Sequence, residues 1–144
     1  MDRQEVITSI FQDFEQFRRR LFRSGIVMAH KDMPTPAQFG LLMMLSAHGS
    51  KSLKDLAECF TMSPSAATQL VDGLVKDGLV RRTEDENDRR KVEVSLTPAG
   101  VTKLQAAQKS RLASLTKMME PLTDAELAQL RVLQKKITDN WNVE

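Results

Sequence analysis

Residues 63–100 read SPSAATQLVDGLVKDGLVRRTEDENDRRKVEVSLTPAG, and the order of elements inside this stretch decides the fold. Ser63 can cap free backbone N–H groups and Pro64 has the fixed φ that suits a first helical position, so a helix opens there and Gly78 is its natural stop. Ala67, Leu70, Val71, Leu74 and Val75 recur at the spacing that gathers them on one side of a 3.6-residue helix. Ser65, Thr68, Gln69, Asp72 and Lys76 share the other side. Residues 79–83 then read as a strand, 84–90 as a hairpin turn, and 91–96 as a returning strand with Val92, Val94 and Leu96 alternating inward.

Working back toward the N-terminus, Ser52-Leu53-Lys54-Asp55 has the serine-x-x-acid pattern of a helix start, and Leu53, Leu56, Ala57 and Phe60 give that helix one apolar side. Thr61-Met62 is the short turn between the two helices, which together make a helix-turn-helix with a hairpin wing. Taken alone, the second helix could equally be an ordinary surface helix. The wing after it favours a helix that reads nucleic acid. Its exposed face carries small hydroxyls and an amide, with no bulky charge in the first two turns, and such side chains can bond base edges or phosphates. In this geometry the first helix crosses the DNA backbone, which makes Lys54 a phosphate contact. At the hairpin tip Arg89, Arg90 and Lys91 stand beside several carboxylates; an arginine there can enter a minor groove, and Asp88 can accept a hydrogen bond from Arg90 that pre-sets its direction.

These residues carry a family resemblance. Leu-x-x-Leu-Ala at 53–57, Ser-x-Ser-Ala-Ala-Thr-x-Leu-Val-Asp-x-Leu at 63–74, Gly-Leu-Val-x-Arg at 78–82, Asp-x-x-Asp-Arg-Arg at 85–90 and Leu-Thr-x-x-Gly at 96–100 occur in that order. The chain resembles the MarR, or multiple-antibiotic-resistance regulator, family in motif detail from about Pro36 to Gly100, and its helical ends fit the family in length and layout. The resemblance implies a homodimer on a pseudo-palindromic operator, with Ser65, Ala66, Thr68 and Gln69 at the major groove and Ser63 among the DNA-binding residues. It also implies that Arg90 is the minor-groove arginine and Asp88 the aspartate that steadies it. Relatives that sense peroxide do so through a cysteine near the N-terminus, where this chain has none.

Composition sets broad bounds. A chain of 144 residues is one domain's worth, and 41% hydrophobic with 28% charged residues describes an ordinary globular protein. The formal net charge is only +2, so affinity for DNA must come from local placement of lysine and arginine, and a moderate salt dependence follows. No apolar run approaches the roughly 20 residues that span a bilayer, and Met1-Asp2-Arg3-Gln4-Glu5 lacks a signal peptide's apolar centre, so a cytoplasmic protein is expected. The single cysteine, Cys59, reads as core packing. His30 and His48 lie far apart with no partner at ligand spacing, which argues against a metal site. Phosphate loops, nucleophile elbows and carboxylate–histidine pairs are missing, which argues against an enzyme or a cofactor.

The flanks explain how one domain becomes two. Ile10, Phe14, Phe17 and Leu21 continue from Val6 at three- or four-residue intervals, widened by Ile7, Phe11 and Phe22. Thr97-Pro98 opens a helix with Val101, Leu104, Leu112, Leu115, Met118 and Met119 that Pro121 closes, and Thr123-x-x-Glu126 caps a last helix carrying Leu127, Leu130, Leu133, Ile137 and Trp141. These faces exceed what one such domain can cover, so pairing with a second copy is expected; the alternative is a monomer whose ends pack on each other. Between them, Thr35-Pro36-Ala37-Gln38 caps a nearly all-apolar helix that belongs inside. Relatives bind small, often aromatic and acidic effectors in the crevice around it, and Met28, His30, Met33, Met43 and Met44 are candidates to line it, although helical methionines are commonly core filler. The expected architecture is therefore a mainly α chain with a small β-hairpin wing, in which a winged helix-turn-helix DNA-binding core (35–97) is flanked by dimerisation helices (1–33 and 98–144). The expected function is that of a DNA-binding regulator, a repressor released by a small molecule. A rival reading, supported by the acidic run Glu84-Asp85-Glu86, is a winged helix that holds another protein and has lost DNA binding.

Overall fold

The computed structural model describes residues 2–23 and 32–141. Among them the elements run α1 (Arg3–Arg23), α2 (Pro36–His48), β1 (Lys51–Ser52), α3 (Leu53–Cys59), α4 (Pro64–Lys76), β2 (Val80–Glu84), β3 (Val92–Leu96), α5 (Pro98–Met119) and α6 (Asp124–Asp139). The chain divides into two compact units, Met1–Lys109 and Ser110–Glu144. Mainly helical, with a small antiparallel sheet, it has the fold class that the residue pattern predicts.

The core of the first unit is built from Leu41, Leu42 and Leu45 of α2, Leu56 of α3, Val71 and Leu74 of α4, Val80 and Val94 of the sheet, and Leu104 of α5. Helix α2, read as belonging inside, is covered on one side only: Leu41, Leu42 and Leu45 are buried and Phe39 and Met44 half-buried, while Met43 and the last turn are exposed. Its start is fixed by a reciprocal cap: the Thr35 hydroxyl accepts the Gln38 N–H at 3.2 Å, and the Gln38 side-chain oxygen accepts the Thr35 N–H at 2.9 Å.

The sheet has the order β1-β3-β2, with Lys51 opposite Val94 and Val80 opposite Leu96. Strand β1 was not legible as a strand, since two residues show no alternation; the outer edge of β3 recruits them, and Ser52 then caps α3 by accepting the Asp55 N–H at 3.0 Å. Both hairpin strands begin one residue later than their sequence suggests. The Leu79 N–H donates to the Leu74 carbonyl at 2.9 Å and so finishes α4, with Gly78 at φ 71 making the corner, while the Lys91 N–H donates to the Asp88 carbonyl at 2.9 Å inside the turn.

A second joint closes the same corner. The Thr97 hydroxyl donates to the Gly78 carbonyl at 2.6 Å and accepts the Gly100 N–H at 3.0 Å, and the Thr97 N–H donates to the Leu79 carbonyl at 3.1 Å. The start of α5 is thereby bolted to the end of α4.

Cys59 departs from expectation, being exposed rather than packed in the core. On α3 the buried side is centred on Leu56 and Ala57, flanked by Leu53 and Phe60, and at 100° per residue Cys59 projects roughly 110° away from that centre. The stripe on α1 forms the helix as read, yet Val6, Ile7, Ile10, Phe11, Phe14 and Phe17 are all exposed, Phe11 at 63%. In the second unit α6 is capped as read, but none of its residues is buried, and Val132, Leu133, Ile137 and Trp141 are exposed. Among the described residues no helix is long and apolar enough to cross a membrane.

Candidate nucleic-acid interface

Helix α4 presents the surface that its sequence implies. The Ser63 hydroxyl accepts the Ala66 N–H at 3.1 Å and lies 3.2 Å from the Ser65 hydroxyl, and Pro64 occupies the first turn, where its missing N–H costs nothing. Ala67, Val71 and Leu74 face the core. Ser65, Ala66, Gln69, Asp72 and Lys76 are exposed, and Thr68 is half-buried on the flank. Val75, read as part of the apolar side, is instead exposed at 38%. It sits roughly 70° from the centre of the buried side, in the last turn.

Helix α3 crosses in front of α4 through a tight turn. Thr61 is held at φ 50, with its N–H donating to the Glu58 carbonyl at 3.2 Å, and the Met62 N–H returns to the Ala57 carbonyl at 3.0 Å. Lys54 is exposed on α3.

Residues 83–91 are all exposed, and the acidic and amide residues among them shape the tip. The Asp85 carboxylate accepts the Asn87 N–H at 2.8 Å and the Asp88 carboxylate accepts the Arg90 N–H at 3.0 Å, two Asx turns in succession. Asp88 therefore orients Arg90 through its main chain, whereas the sequence alone suggested a bond that directs the side chain. Lys54 of α3, Arg90 and Lys91 line one crevice of about 380 Å³, together with Asp85 and Glu93. Three cations, one on α3 and two at the wing tip, thus line one crevice, tempered by two carboxylates, and Arg89 is exposed beside them.

Two arginines escaped the sequence reading. On β2, Arg81 stands opposite Ser95 and Arg82 opposite Val94. Arg82 Nη2 lies 2.6 Å from Asp72 Oδ1, an ion pair between the wing and the polar face of α4. The signal was available in the strand alternation, because Arg82 falls two residues after the inward-facing Val80.

Among the candidate effector residues, Met33 and Met44 are half-buried, and Met44 packs against the core. Met43 is exposed, and its sulfur accepts the Gln108 side-chain N–H at 2.9 Å. Met28 and His30 lie outside the described residues.

A capped helix with a small polar face, a preceding helix across a tight turn and a hairpin with basic residues beside it define a winged helix-turn-helix. Residues 35–92 match the model of the MarR family, and MarR-family homologues are DNA-binding transcriptional regulators. It is similar to the HTH-type transcriptional repressor MdtR of Bacillus subtilis (strain 168), at 34% identity over 103 residues that cover 72% of this chain and 66% of MdtR, just under two thirds of that protein. The HTH-type transcriptional regulator YpoP of the same organism is 29% identical over 136 residues, covering 92% of this chain and 96% of YpoP. In structure it is similar to the YusO protein from Bacillus subtilis, with a TM-score of 0.81 and 26% identity, covering 98% of this chain and 100% of the YusO chain.

Proposed function

We propose that this chain is a cytoplasmic, homodimeric, sequence-specific repressor that grips a pseudo-palindromic operator and is released by a small aromatic or acidic molecule. Ser63, Ser65, Ala66, Thr68 and Gln69 of α4 meet the major groove, where the hydroxyls and the amide read base edges and Ala66 keeps the approach close. Arg90 enters the adjacent minor groove, Arg89 and Lys91 accompany it, Lys54 meets a phosphate, and Asp88 holds the tip in shape. Met28, His30, Met33, Met43 and Met44 are the proposed surroundings of the effector.

The observation that carries the reading is the exposed polar face of α4 standing beside a wing tip whose main chain is pre-shaped by Asp85 and Asp88. Dimerisation is supported by the uncovered apolar faces of α1 and α6, since half-sites about one helical turn apart need two reading helices. Repression is supported by the likeness to MdtR, a transcriptional repressor, and release by a small molecule by the family, some of whose members bind such ligands.

The test is a titration of the protein against its own upstream DNA at several salt concentrations. Arg90→Ala is expected to weaken binding by roughly tenfold or more and to flatten the salt dependence, while Gln69→Ala alters base preference more than overall affinity. Unchanged affinity and salt slope in Arg90→Ala would remove the wing from the interface. A wild-type protein with no duplex affinity at low salt would return the protein-holding reading.

A further inference from the structure

We infer that Asp72 and Arg82 form a positioning pair for operator recognition, setting the angle at which the wing leaves the reading helix so that both can engage DNA together. The inference rests on the DNA-binding reading above. Strand geometry places Arg82 where an arginine is not expected. Successive residues of a strand alternate between faces, Val80 is buried, and Arg82, next on the same face, stands opposite the fully buried Val94. Arg82 thus leaves the sheet on its core side. Its aliphatic stem can lie along the edge of the core while the guanidinium reaches out to Asp72.

Asp72 is on α4 directly after the buried Val71, and at 100° per residue it projects within roughly 20° of Ser65 and 60° of Gln69. A lone carboxylate in that strip would face phosphates and oppose binding. Paired with Arg82 at 2.6 Å, it becomes a tie between the two DNA-facing elements instead. The Asp72 and Arg82 side chains are 56% and 33% exposed, so solvent and salt screen the attraction and little global stability depends on it. The consequence lies in geometry, because no other ion pair among those described joins the sheet to α4.

The experiment compares wild type, Arg82→Gln, Arg82→Lys and Asp72→Asn, each measured against a duplex that the wild-type protein selects from random sequence and against an unrelated duplex of equal length, over a range of salt. Arg82→Gln and Asp72→Asn are expected to lower the ratio of specific to non-specific affinity about tenfold, with the salt slope and the unfolding midpoint close to wild type. Arg82→Lys is expected to keep most of the ratio. For Asp72→Asn the loss is expected even though a carboxylate has been removed from the DNA-facing side, which simple repulsion would turn into a gain. A salt slope lowered by about 0.9 in Arg82→Gln would make Arg82 a phosphate contact and overturn the positioning role. An unchanged ratio in Asp72→Asn would overturn it equally, and so would a parallel fall in both affinities with a lowered unfolding midpoint. A wild-type protein that selects no duplex would instead defeat the DNA-binding reading beneath it.

Discussion

At Gly100 the absent side chain matters more than most present ones. A Cβ built there would fall against the backbone carbonyl of Leu79, which cannot swing aside because its oxygen already accepts the Thr97 N–H and its residue enters β2. Gly100→Ala is therefore expected to destabilise the first unit by about 3 kcal/mol, the upper part of the range for forced overpacking, read as a shift in the urea midpoint. A change below about 0.5 kcal/mol, the ordinary scatter of surface substitutions, would show that the corner can yield. The Leu-Thr-x-x-Gly motif was legible in the sequence, but its reason was not: Thr97 and Gly100 act on Gly78 and Leu79, about twenty residues earlier in the chain. Cys59 and Arg82 failed to read for a related cause. A residue type carries a preference for burial or exposure, and the direction in which its element points it can override that preference.

Among the elements, the helices with strong caps were the most legible. Ser63-Pro64, Thr35 with Gln38, and Thr123 with Glu126 all cap as their spacing implies, because a cap is a local bond between residues three apart. The strand β1 was invisible, since its existence depends on a partner more than forty residues away. Val75 was misassigned because periodicity gives a face but not its width, and Val75 lies off the line of Ala67, Val71 and Leu74. The cap of α6 also makes a prediction about acidity. Glu126 accepts the Thr123 backbone N–H and hydroxyl, each at 2.8 Å, and these bonds hold its carboxyl below the ordinary value. A group whose folded pKa is depressed stabilises the fold above its unfolded pKa, and that contribution is lost as pH falls through the folded value. Helicity followed by circular dichroism through the acid range should accordingly fall less steeply in Glu126→Gln than in wild type, and identical slopes would show that the cap does not titrate.

For the whole molecule, the apolar flanks were legible as surplus, and their exposure in a single chain agrees with that reading. What the sequence could not say is what covers them, because periodicity describes a face and not its partner. Under the proposed dimer, Phe14→Glu places a charge where α1 would be covered while leaving the core of the first unit untouched, Phe14 being 60% exposed. The expected result is a monomer at micromolar concentration by light scattering, with operator affinity lower by roughly a hundredfold or more, since each reading helix then binds alone. A variant that remains dimeric would place the interface elsewhere. The exposed face of α1 bears also on biosynthesis. Ile7, Ile10, Phe11, Phe14 and Phe17 precede every core residue in the chain, so translation delivers them before the core exists, and the finished core still leaves them bare. Under the proposed dimer, the newborn chain carries a greasy helix until a second copy covers it, and neighbouring ribosomes on one message, by raising the local supply of copies, would shorten that wait.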